Sequence, residues 1–208
     1  VANVIHPLSD ANEIRNAVSL TNSSLIFTTD VSYKTVKDAC VENIVVCEVS
    51  MSMPPVLKTL YNIKSRKNMK YSSDTITWKK FVSGMGTIAP SVKRNRDDAA
   101  VLIYSGGTTG KSKGIVLSNL CFNALAIQCI AVCPEARPGA SMMSALPIFH
   151  GFGLCVAVHA PLCLGMKCIL IPKIDIKKLN ETIKKKKPTI VPAVPTMLKA
   201  ITNNKNLG

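Results

Sequence analysis

A loop rich in glycine, hydroxyl and lysine side chains is the strongest chemical signal in this 208-residue sequence. Residues 105–114 read Ser-Gly-Gly-Thr-Thr-Gly-Lys-Ser-Lys-Gly: four glycines, four hydroxyl side chains and two lysines, with no acidic residue. Glycines let backbone N–H groups converge on an anion, hydroxyl groups donate to phosphate oxygens, and lysine supplies positive charge. Each charge-assisted hydrogen bond contributes roughly 1.5–3 kcal/mol. The composition predicts a phosphate-binding loop, and the competing interpretation is an ordinary surface turn of the same residue types.

A second candidate segment, Leu-Pro-Ile-Phe-His-Gly-Phe-Gly, occupies residues 146–153. His150 has a ring N–H that can donate a hydrogen bond to a carboxylate. Phe149 and Phe152 suit an apolar pocket, and Gly151 and Gly153 leave room for a chain to pass. A lone histidine beside an apolar segment is more often a hydrogen-bonded core residue. The phosphate loop upstream makes the substrate-binding interpretation the stronger one here.

Alternating strand and helix patterns must position both segments. The sequence predicts strands at residues 25–28, 44–47, 101–104, 115–117, 142–147, 167–171 and 189–191. It predicts helices at 9–20 behind Ser9 or Asp10, at 30–40 capped by Asp30, at 75–82, at 118–131 behind Ser118 or Asn119, at 154–164, at 175–187 and from 194 onward. Residues 51–84 are otherwise irregular, with a surface loop at 65–73 and Trp78 packed in the core. This order predicts an α/β fold with a mainly parallel sheet. The first predicted βαβ unit consists of the strand at 25–28, the helix at 30–40 and the strand that begins at Ile44.

The string Tyr-Ser-Gly-Gly-Thr-Thr-Gly-Lys-Ser-Lys-Gly, residues 104–114, resembles the phosphate-binding signature of adenylate-forming enzymes, [Y/F]-[T/S]-S-G-[S/T]-T-G-x-P-K-G. Acyl-CoA synthetases, aryl-CoA ligases, luciferases and nonribosomal-peptide adenylation domains share it. Two positions depart from the signature: Gly106 replaces a serine, which removes a hydroxyl donor, and Ser112 replaces a proline, which removes a restraint on the loop. The matching positions are Gly107, Thr108, Thr109, Gly110, Lys113 and Gly114.

The resemblance implies a fragment of the layered N-terminal domain of a CoA ligase. A carboxylic acid would react with Mg2+-bound ATP to give an acyl-adenylate and pyrophosphate, and coenzyme A would then take the acyl group. The residues implied for ATP are Ser105, Gly106, Gly107, Thr108, Thr109, Gly110 and Lys113. The segment at 146–153 resembles the family's L-P-x-[F/Y]-H-x-x-G segment, which implies that His150 orients the carboxylate and that Gly151 and Gly153 form the pocket wall. The small residues beside His150 favour a fatty acid over a compact aromatic acid.

The family's remaining segments are absent from the sequence, namely Y-G-x-T-E, the T-G-D segment that binds adenine and ribose, the hinge, and the C-terminal domain with the adenylation lysine. We therefore expect residues 1–95 (an α/β portion with an irregular connector) and 96–208 (the phosphate-loop and acyl-pocket portion) to lie within one incomplete AMP-binding domain. We also expect the chain to need the remainder of a parent ligase and to be inactive alone.

Two other functions compete with this interpretation. Gly110-Lys111-Ser112 is similar to the end of a P-loop motif, but that motif needs glycine at position 105 and a helix after the Lys-Ser pair, whereas β-branched residues follow here. The net charge of +14 suggests a basic module for nucleic acid. The densest basic run, residues 184–187, ends an amphipathic helix, where lysines are favourable, and no aromatic residues alternate with it to stack bases. We therefore expect no nucleic-acid partner.

Eight cysteines without a C-x-x-C pair favour buried free thiols in a reducing cytoplasm over disulfides or zinc. His6 and His159 match no motif and are interpreted as structural. The composition, 47% hydrophobic and 18% charged, is that of a globular protein. No apolar run reaches the roughly 18 residues of a membrane span.

Overall fold

The computed structural model describes residues 1–39, 41–65, 70–83, 86, 92–105, 113–172, 174–175 and 178–203. The strands are β1 (Ala2–Asn3), β2 (Ile26–Thr29), β3 (Ile44–Cys47), β4 (Ile76–Thr77), β5 (Ala99–Ser105), β6 (Lys113–Ser118), β7 (Ser141–Ser144) and β8 (Lys167–Leu170). The α-helices are α1 (Ala11–Thr21), α2 (Tyr33–Asp38), α3 (Pro55–Ser65), α4 (Trp78–Ser83), α5 (Asn119–Val132), α6 (Ala160–Cys163), α7 (Leu179–Lys186) and α8 (Pro195–Thr202). A 3₁₀-helix spans Val49–Ser52, and a π-helix spans Phe152–His159.

The chain folds as two compact units: Ile5–Lys93, and Arg94–Gly208 together with Val1–Val4. In the Ile5–Lys93 unit, strands β2, β3 and β4 form a parallel sheet in that order. Helices α1 and α2 contribute to its core because their apolar residues recur at helical spacing. The parallel pairing of β2 with β3 confirms the predicted βαβ unit. The buried core residues are Ile14, Tyr33, Val36, Ala39, Ile44 and Val46.

A polar side chain caps the N-terminus of the first helix, whereas the second helix has no side-chain cap. Of the two predicted capping residues, Ser9 and Asp10, it is Asp10 that forms the N-cap of α1. Its carboxylate accepts a hydrogen bond from the Glu13 N–H, and the Glu13 carboxylate accepts one from the Asp10 N–H. The prediction that Asp30 caps the next helix is wrong. Asp30 is buried and accepts hydrogen bonds from the Val49 N–H and the Tyr61 hydroxyl, both at 3.0 Å, so its carboxylate is already used.

The irregular stretch predicted at 51–84 contains more structure than its sequence suggested. Helix α3 begins at Pro55, and β4 precedes α4. Residues 66–69 of the predicted surface loop lie outside the described residues. Trp78 is only partly buried, at 37% exposed, and packs on Phe81 and Phe27, with ring centroids 5.9 and 6.1 Å away. It is therefore a packing residue at the edge of the unit, and its predicted core position is wrong.

The Arg94–Gly208 unit holds two sheets. Strand β5 lies between β1, to which it is parallel, and β6, to which it is antiparallel. Strands β7 and β8 form a parallel pair, to which Ile190 adds one bridge at Met142. The strand predicted at 189–191 is thus reduced to that bridge, and the strand predicted at 142–147 ends at Ser144 because residues 145–151 turn into the next helix.

Helices cover these strands. Ser118 is the N-cap of α5, its hydroxyl accepting from the Cys121 N–H at 3.2 Å. The helix predicted at 154–164 begins two residues earlier as a π-helix and continues as α6. The basic helix predicted from 175 starts only at Leu179, and Lys187 leaves it with φ of 46°. Val194 precedes α8, as predicted.

The cysteine prediction is wrong in part. Among the seven described cysteines, all free, Cys155 is buried, Cys121 and Cys163 are exposed, and the others are intermediate. Cys121 and Cys163 lie on apolar helices whose outward faces are exposed in this chain, so an apolar sequence context did not imply burial. None of the described helices is long and apolar enough to cross a bilayer.

Candidate functional site

The predicted phosphate loop joins two strands of an antiparallel hairpin. Ser105 ends β5, Lys113 begins β6, and the two residues are paired directly across the hairpin. Gly106, Gly107, Thr108, Thr109, Gly110 and the two residues that follow lie outside the described residues. The hairpin therefore fixes where the loop leaves the sheet and where it returns.

The two described members of the predicted ATP set differ in environment. Lys113 is exposed, so its ammonium group is available to an anion, whereas Ser105 is half-buried. One residue earlier, burial raises the pKa of the Tyr104 hydroxyl, and the neighbouring Asn3 side chain of β1 opposes that shift. The Tyr104 side chain is thus partly buried next to the end of β5.

His150 lies in the first turn that follows β7. Its N–H donates to the Pro147 carbonyl at 3.2 Å, and its carbonyl accepts from the Leu154 N–H at 2.9 Å, so the backbone is held at both ends. The imidazole is exposed and packs against the Phe149 ring, with centroids 4.6 Å apart. The side chain is therefore available to a ligand while its backbone is fixed.

The two glycines after His150 are explained by close packing. A methyl group on Gly153 would lie 2.0 Å from the Pro147 carbonyl oxygen, because the π-helix crosses that backbone at short range. A methyl group on Gly151 would lie 3.3 Å from Cδ1 of Ile103. The predicted role of both glycines as pocket wall stays a prediction.

The contact with Ile103 connects the two candidate segments. Ile103 belongs to β5, two residues before Ser105, so the turn carrying His150 packs on the strand that leads into the phosphate loop. One apolar cluster contains residues of β5, α5 and the π-helix, with Val101, Phe122 and Cys155 at its centre. The fold thus brings the hairpin and the histidine turn to one part of the Arg94–Gly208 unit.

Sequence reasoning missed one side chain that holds this turn. The Ser144 hydroxyl, buried at the end of β7, donates to the Ala157 carbonyl of the π-helix. The sequence feature that could have revealed this role is a hydroxyl side chain within an otherwise apolar strand.

His159, which the sequence analysis interpreted as structural, does contact its neighbours: its Nε2 lies 3.0 Å from Oδ1 of Asn123. Among the described residues there is no group of three or more His, Cys, Asp and Glu placed to hold a metal ion.

The sequence profile described as AMP-binding enzyme matches residues 1–208. The chain belongs to the AMP-binding enzyme family. The hairpin agrees with this assignment and disfavours the P-loop alternative, because a strand, β6, begins at Lys113 where a P-loop requires a helix.

Similar proteins in this AMP-binding family are named as CoA ligases. The chain is 29% identical to 4-coumarate–CoA ligase-like 8 of Arabidopsis thaliana, over 98% of the chain and 34% of that protein. It is 27% identical to a long-chain-fatty-acid–CoA ligase of Bacillus subtilis, over 92% of the chain and 36% of that protein. The chain thus spans about a third of the length of these relatives.

A solved structure supports the fold. The anthranilate CoA ligase AuaEII, crystallised in complex with anthranoyl-AMP, superposes with a TM-score of 0.78 at 20% identity, over 100% of this chain and 38% of that one. The predicted α/β class with parallel strands is confirmed.

Proposed function

We propose that this chain supplies the phosphate-binding and carboxylate-binding portion of an ATP-dependent, AMP-forming acid–thiol ligase. The observation that carries the proposal is the match to the AMP-binding family along the whole chain, phosphate hairpin included. Both portions of the chain, 1–95 and 96–208, are assigned to one AMP-binding domain. The names of the relatives support CoA as the acceptor thiol.

In the proposed first step, a carboxylate oxygen attacks the α-phosphorus of ATP, the bond to the pyrophosphate oxygen breaks, and acyl-adenylate forms. Negative charge then accumulates on the leaving pyrophosphate, and donors already in place stabilise it at low cost of reorganisation. Thr108, Thr109 and the amides of the 105–110 segment are assigned this role, together with Lys113, whose exposed ammonium group lies at the hairpin mouth. Mg2+ enters with ATP and offsets charge on its phosphates.

His150 is assigned to the acid. Its exposed imidazole can donate a hydrogen bond to the carboxylate and hold it in line for attack. In the second step the CoA sulfur attacks the acyl carbon, AMP leaves, and the thiol proton passes to solvent. The turn that carries His150 packs on β5, which supports a shared position for acid and phosphates.

The acid is proposed to be a fatty acid and the compartment the cytoplasm. The Bacillus subtilis relative's name supports the first assignment. The free thiols of the described residues support a reducing compartment.

Carboxylate-dependent exchange of pyrophosphate into ATP tests the proposal in a protein that contains this chain and the length its relatives add. Lys113→Ala should lower the exchange rate roughly ten- to hundred-fold, because a charge-assisted hydrogen bond of about 1.5–3 kcal/mol is lost. Lys167→Ala is the matched control, since Lys167 is also an exposed lysine at the first position of a strand. Equal rates in the two variants would contradict the assignment of Lys113.

The same assay tests which acid is activated and whether the 208-residue chain is active alone. Fatty acids of graded chain length should support faster exchange than 4-coumarate, and the reverse order would overturn the fatty-acid assignment. The 208-residue chain alone should give no exchange.

A further inference from the structure

Three side chains from two helices meet at the surface of the Arg94–Gly208 unit, where the π-helix passes into α6. The Cys163 sulfur lies 3.3 Å from Nε2 and 3.9 Å from Nδ1 of His159. The Asn123 Oδ1, from α5, lies 3.0 Å from the same Nε2. His159 and Cys163 are four residues apart, so successive helical turns bring them to one face. The proposed ligase chemistry uses none of these residues.

The imidazole at the centre of this cluster is held in place by the packing of its ring. Its ring packs on Phe122, a residue 9% exposed, with centroids 4.1 Å apart.

The separations suit a shared ligand. In tetrahedral zinc sites the Zn–S bond is about 2.3 Å and the Zn–N bond about 2.0–2.1 Å, which places nitrogen and sulfur about 3.6 Å apart. The Cys163 sulfur lies 3.3 Å from Nε2, the ring nitrogen that Asn123 also approaches, and this distance is close to that value. Asn123 and Cys163 are exposed, so an ion can reach the cluster from solvent.

We propose that Asn123, His159 and Cys163 form a binding site for a thiophilic divalent cation of the Zn2+ class. The thiol loses its proton to solvent on binding, the sulfur and the imidazole nitrogen become the strong ligands, the amide oxygen is the weak third one, and water completes the shell. The site is independent of the proposed ligase activity.

Titration of the 208-residue chain with Cd2+ tests the site, because a Cd2+–thiolate bond gives an ultraviolet charge-transfer band. The chain should bind one equivalent, and both Cys163→Ser and His159→Gln should weaken binding at least tenfold. Cys121→Ser is the matched control, since Cys121 is an exposed free thiol on α5, and it should change nothing. Zn2+ in excess should compete with Cd2+ and weaken the band.

Three results would overturn the proposal. One is unchanged affinity in Cys163→Ser. Another is loss of the band in Cys133→Ser, because Cys129 and Cys133 lie near each other and are a competing pair of thiols. The third is unchanged affinity in His159→Gln, which would show capture by a thiol alone.

Selective protection tests the same site without substitution and does not depend on the variants folding. Zn2+ should slow iodoacetamide alkylation of Cys163, read by mass spectrometry, and leave alkylation of Cys121 unchanged. Equal protection of both thiols, or of neither, would contradict the site.

Discussion

Gly153 lies against the backbone of residues 146 and 147 at a distance that no larger residue can occupy without movement. Its contact with the Pro147 carbonyl holds the start of the π-helix against the end of β7, and so holds the turn that carries His150. Gly153 has no chemical role of its own, but it is therefore necessary for the position of His150, the residue that we assign to binding the acid.

The substitution Gly153→Ala should destabilise the protein by roughly 1–3 kcal/mol, because the added methyl group overpacks the contact with Pro147. Chemical denaturation measures the change. Gly86→Ala is the control, since a methyl group there would have nothing within 4 Å. Equal stability of the two variants would show that the backbone approach at Gly153 is looser than described.

Asp74 is the residue whose titration should be visible in the stability of the Ile5–Lys93 unit. Hydrogen bonds from the Ser72 hydroxyl and the Lys37 ammonium group lower the pKa of Asp74 to about 2. A carboxyl group with a folded-state pKa below its unfolded value of about 3.9 stabilises the fold above the unfolded pKa, and this contribution is lost as the pH falls towards 2.

We expect Asp74→Asn to lower the melting temperature at pH 7 and to reduce the loss of stability between about pH 4 and pH 2. Thermal unfolding across that range is the measurement, at low salt because the Lys37–Asp74 pair is exposed. Glu42→Gln, at another exposed carboxylate of the same unit, controls for the change in net charge. Identical pH profiles for wild type and Asp74→Asn would refute the interpretation.

At the scale of residues, the sequence indicated which types could do chemistry but not all of their surroundings. The prediction for Asp30 failed because its partners, Val49 and Tyr61, are 19 and 31 residues away. For Gly153 the sequence did not indicate the close approach of the Pro147 backbone. Such partners depend on tertiary packing, which no local pattern contains.

Helix ends give the most direct comparison at the scale of elements. Asp10 and Ser32 are the N-cap residues of two helices in the same unit, but only Asp10 accepts a hydrogen bond through its side chain. The Asp10 side chain therefore stabilises α1, while the Ser32 side chain accepts no hydrogen bond from the first N–H groups of α2.

Asp10→Ala should cost about 1 kcal/mol of unfolding free energy, since it removes the carboxylate that accepts from the Glu13 N–H. Ser32→Ala should change the stability by less than about 0.5 kcal/mol. Urea denaturation of the two variants side by side checks the prediction. A larger effect at Ser32 than at Asp10 would contradict the capping geometry.

Strands flanking the phosphate loop were predictable because β-branched runs at 101–104 and 115–117 stop at glycine-rich residues. Helix α3 was not, because Pro54 and Pro55 were interpreted as an interruption. Pro55 is instead the first residue of the helix, where its missing N–H has no partner to lose. The apolar residues of α3 do recur at helical spacing, although all four are exposed here: Val56, Leu57, Leu60 and Ile63.

For the whole molecule, the family assignment and the α/β class follow from the sequence, and the structure adds the arrangement within each unit. The Arg94–Gly208 unit holds the hairpin and the histidine turn on one apolar cluster. The chain covers about a third of the length of its curated relatives.

The central claim is that the hairpin between β5 and β6 binds the phosphates of ATP. Hydrogen–deuterium exchange of peptides covering residues 105–113, in a protein that contains this chain and the length its relatives add, tests it most directly. We predict slower exchange in these peptides on adding ATP, and the same slowing, at higher concentration, with pyrophosphate. ATP binding that protects other peptides and leaves these unchanged would contradict the account.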